Sequence, residues 1–183
     1  MLCLIIKKIM NKKFKGVYNR SSNRAKWWDY TNDGTYFITI CTRDMKHYFG
    51  YIFQDKMYLN DLGKCVLNCW FSIPHYYPFV VLDAFIVMPN HVHGILHINR
   101  GNYNTKKIDN NKEFKSVSGS LGNIIKGFKV GVKKDAKSLG IAFFWQDGYH
   151  DHIIRTASAY NNIANYIHTN PSRWNKDRFY NEF

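Results

Sequence analysis

Val80-Val-Leu-Asp-Ala-Phe-Ile-Val-Met-Pro-Asn-His-Val-His-Gly-Ile-Leu-His-Ile98 decides the fold. Its first half, Val80 to Met88, is strongly apolar, and strand character resumes at His91 after the Met88-Pro89-Asn90 break. Proline and asparagine favour a tight turn, so the two runs read as neighbouring antiparallel strands. Side chains on a strand alternate faces. His91 and His93 therefore leave the sheet on the same side, and Ile95 and His97 continue their row. Two imidazoles so placed can reach one divalent metal and leave positions open for phosphate oxygens. The same spacing also suits a surface pair or a satisfied core pair, so it leaves the role open. A histidine-triad nucleotide hydrolase would want a third histidine near position 95, where Ile95 stands.

Upstream, Thr35-Tyr-Phe-Ile-Thr-Ile-Cys-Thr42 is β-branched and aromatic and reads as a further strand with a buried face. Tyr48–Phe53 and Lys56–Asn60 flank Gln54-Asp55 as a short hairpin. Asp61 reads as the N-cap of a helix through Ile73, with Leu62, Val66, Cys69 and Trp70 at helical spacing, ended by Pro74 and Pro78. Residues 99–115, rich in Gly, Asn, Lys and Thr, read as an exposed loop. Ser118 or Ser120 would cap a basic helix to about Lys134 that turns Leu121, Ile124, Ile125 and Phe128 inward and Lys126, Lys129 and Lys133 outward. Thr156 or Ser158 would cap a last helix ending near Asn170-Pro171. On it Tyr160, Ile163, Ala164 and Ile167 form an apolar stripe, with Asn162, Tyr166 and Asn170 in a second stripe beside it. Strands and helices intermix without strict βαβ alternation or internal repeat, which predicts an α+β fold on an antiparallel sheet.

The 183 residues suit one domain, here residues 28–183, preceded by a basic arm over residues 1–27. Lys and Arg number 26 against 13 Asp and Glu, a formal charge of +13 that points to a polyanion, with nucleic acid foremost. The four cysteines form no CxxC pair, which fits a reducing cytoplasm better than a disulfide framework or zinc ribbon. The apolar opening has neither a basic n-region nor a small-residue cleavage site and is too short to span a bilayer, so no membrane role is expected.

Four blocks together resemble the REP-associated tyrosine transposases, a branch of the HUH single-strand transposases. They are Thr35–Thr42; Phe85-Ile-Val-Met-Pro-Asn-His-Val-His-Gly94; Phe144-Trp-Gln-Asp-Gly-Tyr-His-Asp-His-Ile-Ile-Arg155; and Asn165-Tyr-Ile-His-Thr-Asn-Pro171. The resemblance implies a ferredoxin-like α+β domain, an antiparallel sheet with helices packed on it. It implies that His91 and His93 bind Mg²⁺ or Mn²⁺, with Asn170 as a third ligand. Tyr166 would attack a backbone phosphate of single-stranded DNA at or near a hairpin and form a 5′-phosphotyrosyl intermediate. By the same likeness His152 and Arg155 would touch phosphate or support the site, while Lys126, Lys129 and Lys133 would track the DNA backbone. It implies a cytoplasmic, nucleoid-associated protein acting as a monomer, with a dimer as the other possibility. The alternative from another class is a non-catalytic nucleic-acid-binding module that keeps the fold; intact His91, His93 and Tyr166 favour the enzyme.

Overall fold

The computed structural model describes residues 27–101 and 119–180. The expected arm, apart from Trp27, and most of the 99–115 loop lie outside these residues. In chain order the elements are β1 (Gly34–Cys41), a hairpin of β2 (Gly50–Phe53) and β3 (Lys56–Leu59), α1 (Asp61–Phe71), the short α2 (Ile73–Tyr76), β4 (Val80–Val87), β5 (His91–Ile98), α3 (Leu121–Ser138), β6 (His150–Ile154) and α4 (Ala157–Thr169). A 3₁₀ segment, Pro171–Lys176, follows.

The main sheet runs β4-β5-β1-β6 with every neighbouring pair antiparallel. With the β2–β3 hairpin set aside, the order of elements is strand, helix, strand, strand, helix, strand, and the first strand lies between the third and the last. That is the ferredoxin-like arrangement. Its two helices, α1 and α3, cover one face: Leu62, Val66 and Trp70 with Leu121, Ile124, Ile125 and Phe128 pack on Tyr36, Ile38, Ile40, Val92 and Leu96. The added helix α4 covers the other face, where Ile163 and Ile167 meet Phe37 and Ile95. Central β5 is therefore buried on both sides along almost its whole length, so His91 and His93 are carried on a strand that has no solvent-facing side there. Edge strand β4 alternates more and bulges between Leu82 and Phe85.

Local chemistry fixes the boundaries. Asn60, not Asp61, caps α1: its side chain accepts from the Gly63 amide at 2.9 Å. Asp61 is the first residue inside, where its charge suits the helix N-terminus. The helix stops at Phe71, two residues before the expected Ile73. Pro74 then opens α2 instead of merely ending α1, because a proline in the first turn gives up only an amide that has no helical partner. Ser120 and Thr156 are the caps of α3 and α4. The basic helix α3 runs a turn beyond Lys134, to Ser138, since Val132 and Ala136 continue its buried stripe. Gln54 and Asp55 both take positive φ, as a two-residue hairpin turn of this hand requires.

Gly94, directly after His93, is needed for packing. A Cβ there would lie 2.4 Å from the Trp70 ring, which stacks on Phe85 with centroids 4.4 Å apart. No helix among the described residues is long and apolar enough to cross a membrane. Cys41, Cys65 and Cys69 are free thiols.

Candidate active site

His91 and His93 project from β5 onto the face covered by α4, and both are fully buried. Their Nε2 atoms approach to 3.1 Å. The tautomer of His91 follows from its neighbour. The Asn90 side-chain nitrogen donates to the carbonyls of Met45 and Phe179 at 3.1 and 2.8 Å, so its oxygen faces His91 Nδ1 at 2.8 Å and accepts a hydrogen bond from it. The lone pair of His91 is thereby left on Nε2, aimed at His93. On its far side His93 Nδ1 sits 2.8 Å from the Thr39 hydroxyl, a partner of the kind that orients a metal-binding imidazole.

Tyr166, on α4, brings its hydroxyl to 3.2 Å from His93 Nε2 and donates to Asp177 Oδ2 at 3.2 Å. The Asn170 side-chain Nδ2 donates to the same carboxylate oxygen at 2.9 Å, while its Oδ1 is buried with no hydrogen-bond partner. His91, His93 and Asp177 place one donor atom each within 4.8 Å of one another. Two imidazoles and a carboxylate, without a thiolate, form a donor set suited to a divalent cation. The His91 lone pair, the Asp177 carboxylate near it and an orphaned buried side-chain oxygen on Asn170 all fit such an ion.

The electrostatics agree. Burial, reinforced by the nearby Arg178 and His47 charges, pushes His91 down to about 3. His93 is likewise held well below its usual value, by burial first and His91 second, against the pull of Asp177. Both imidazoles are therefore neutral at pH 7, the form that binds metal. Burial and then the Asp177 charge raise Tyr166 well above an ordinary phenol, so the resting tyrosine is protonated.

The segment after α4 closes the site. Phe179 lays its ring against His91, centroids 4.5 Å apart, and Trp174 lies 6.0 Å from the same imidazole. The strap is pinned by the Asn90 bond to the Phe179 carbonyl and by Asp177 Oδ1, which accepts from the Phe179 amide at 2.8 Å.

Over 171 residues the chain is 39% identical to an uncharacterized protein of Haemophilus influenzae, covering 90% of this chain and 95% of that one. The two belong to one family. No protein-family model matches. A solved structure of a REP-associated tyrosine transposase bound to a REP hairpin superposes with a TM-score of 0.55 at 18% identity, over 82% of this chain and 74% of that one. The chain has the REP-associated tyrosine transposase fold.

Within that transposase fold the expected residues fall into separate groups. His91, His93, Tyr166 and Asn170 come together. His97 does not: its ring is held between the Thr35 hydroxyl and Asp83 at the far end of the strand. His152 is exposed on β6, and Arg155 stacks its guanidinium over Trp27 at 4.0 Å. Lys126 and Lys133 are exposed on α3, whereas Lys129 donates to the carbonyls of Gln146 and Gly148 at 2.8 Å each. Burial of that ammonium lowers its pKa. Two groups escaped the sequence reading. Asp177 follows a 3₁₀ turn that periodicity does not register. His150, rather than His152, lies in the cross-strand row of His93, through Thr39; only the β1–β6 register reveals it.

Proposed function

We propose that this protein is a metal-dependent tyrosine endonuclease and strand transferase that cuts single-stranded DNA at or near a hairpin through a 5′-phosphotyrosyl intermediate. The observation that carries this reading is the Tyr166 hydroxyl lying 3.2 Å from His93 Nε2 within one chain. The transposase fold and the +13 charge support it. His91, His93 and Asp177, with Asn170 Oδ1 beside them, would hold Mg²⁺ or Mn²⁺. When bound, such an ion neutralises charge on the scissile phosphate and favours the phenolate.

The chain's own residues account for the rest. Tyr166 Oη forms the bond to phosphorus as its proton passes to Asp177, the acceptor it already faces; the P–O3′ bond breaks, and the departing oxygen takes that proton from Asp177 to become a 3′-hydroxyl. The new phosphotyrosyl ester keeps the energy of the broken diester, so a 3′-hydroxyl can later reverse the step and join strands. Lys126, Lys133 and Arg155 offer sequence-blind contacts to the DNA backbone. A tyrosine and histidines supplied by one chain suit a monomer.

With Mn²⁺ and a hairpin-bearing oligonucleotide, the purified protein should give a protein–DNA band that survives denaturing electrophoresis. A second reading, a binding module without chemistry, is favoured by the full burial of both histidines; it predicts binding with no such band. Substrate must displace the strap, so Phe179→Ala, which removes the ring from His91 and keeps the Asn90 bond to the backbone, should raise the initial rate of adduct formation several-fold. An unchanged or slower rate would mean that the ring positions the histidines instead of barring them.

A further inference from the structure

Six residues before Tyr166, α4 carries a second tyrosine whose hydroxyl is engaged away from the histidine pair. Tyr160 donates to Asp83 Oδ2, and His97 Nε2 lies 3.3 Å from the same oxygen. The other ring nitrogen of His97, Nδ1, is 2.8 Å from the Thr35 hydroxyl. One carboxylate thereby ties α4 to β4, β5 and β1. Local structure aims it. The bulge between Leu82 and Phe85 interrupts the alternation of β4, so two successive residues serve the α4 face: Ala84 packs into the cluster of Ile163 and Ile167, and Asp83 receives Tyr160. Asp83 Oδ1 accepts from the Ala84 amide at 2.7 Å, which fixes the rotation of the carboxylate. The Tyr160 bond is the main reason that the Asp83 carboxyl lies below its usual range, against the effect of partial burial.

We propose that Asp83 and Tyr160 are a positioning pair that sets where α4 presents the Tyr166 hydroxyl. This rests on the reading of Tyr166 as the nucleophile. Two carboxylates grip tyrosine hydroxyls of α4, Asp177 at Tyr166 and Asp83 at Tyr160. The first grip is spent in the reaction, because Tyr166 gives up its proton as its oxygen turns to phosphorus. What remains on that face is Ile163 and Ile167 against Phe37, Ala84, Ile95 and Ile154. Apolar contact of this kind is non-directional and tolerates a small slide or turn of the helix. The Asp83–Tyr160 bond is directional and takes no part in the chemistry, so it can hold the helix in register throughout.

The lever is short. Six residues of helix put Tyr160 about 9 Å from Tyr166 along the axis, and a misplacement of about 1 Å at the reacting atoms can cost 10²-fold in rate. Folding gains little from the same group. The Asp83 and His97 side chains are 35% and 30% exposed, and pairs so open to solvent add little to stability. A positioning role therefore predicts a rate effect out of proportion to any change in Tm.

The test measures covalent adduct formation with Mn²⁺ and a hairpin-bearing oligonucleotide, over a range of DNA concentrations, for Tyr160→Phe, Asp83→Ala and the double variant. Tyr77→Phe is the control, since it deletes a hydroxyl bonded to the Asn123 carbonyl on the opposite face of the sheet. Tyr160→Phe should slow the reaction at saturating DNA about tenfold or more, with the half-saturating DNA concentration and the Tm close to those of the control. The double variant should be no slower than the slower single variant, as expected of two ends of one interaction. If Asp83→Ala does not fold, the rate of Tyr160→Phe decides alone. A wild-type rate in Tyr160→Phe, or losses that multiply in the double variant, overturns this inference and leaves the nuclease reading standing. A wild type that forms no adduct overturns the nuclease reading and this inference with it.

Discussion

A Tyr166→Phe protein should form no covalent adduct with DNA, a loss of roughly 10³-fold or more in strand cleavage, while binding the same oligonucleotide as tightly as the wild type. The substitution removes one atom. The ring that remains keeps its edge contact with Phe37 and its place beside His93, so the fold and the imidazole pair persist. The lost hydroxyl takes with it a bond to Asp177 and one to His93, an effect on stability of about 1 kcal/mol. Binding depends on phosphate contacts spread over a basic surface and does not need the phenol. Denaturing gels and anisotropy on the same preparation separate the two quantities. An adduct that persists in the variant would move the nucleophile elsewhere, with Tyr160 next along α4; that residue's hydroxyl, however, is engaged with the Asp83 carboxylate.

The chain makes some of this legible and hides the rest for physical reasons. The β4–β5 pair and its turn were readable because Val80–Met88 is apolar except at Asp83, because apolar residues resume after His91, and because Pro89-Asn90 separates the two runs. Helical spacing likewise foretold the buried stripe of α3 and the place of Tyr166 beside the core of α4. Sheet order was a different matter. Strand β6 pairs with β1 across more than a hundred residues, and His150-Asp-His-Ile-Ile154 has too mixed a pattern to declare itself a strand. The partnership of His93, Thr39 and His150 in one row was hidden with it. Asp177 was invisible for another reason. Its position depends on a 3₁₀ turn and on hydrogen bonds to Tyr166, Asn170 and the Phe179 amide, none of which leaves a period in the sequence. Lys129 shows the converse: a lysine on the outward stripe whose ammonium is spent on holding a loop.

His91→Ala should abolish metal-dependent cleavage and leave salt-sensitive DNA binding close to wild type. The imidazole contributes one of three converging donors, and its loss removes one charge-neutral ligand without touching the basic surface. Metal binding can be read apart from activity. Anything that binds only the folded state raises its melting temperature, so Mn²⁺ should raise the Tm of the wild type and leave that of the variant nearly unmoved. Without metal the variant itself should melt lower, since the Asn90 oxygen loses its donor and a buried space opens beneath Phe179. The comparison that matters is therefore the increment on adding Mn²⁺, not the Tm alone. A full increment in the variant would show that the ion binds elsewhere. Loss of DNA binding together with cleavage, in a variant still folded by circular dichroism, would make His91 a structural residue and leave Tyr166 without the neighbour that its position beside His93 implies.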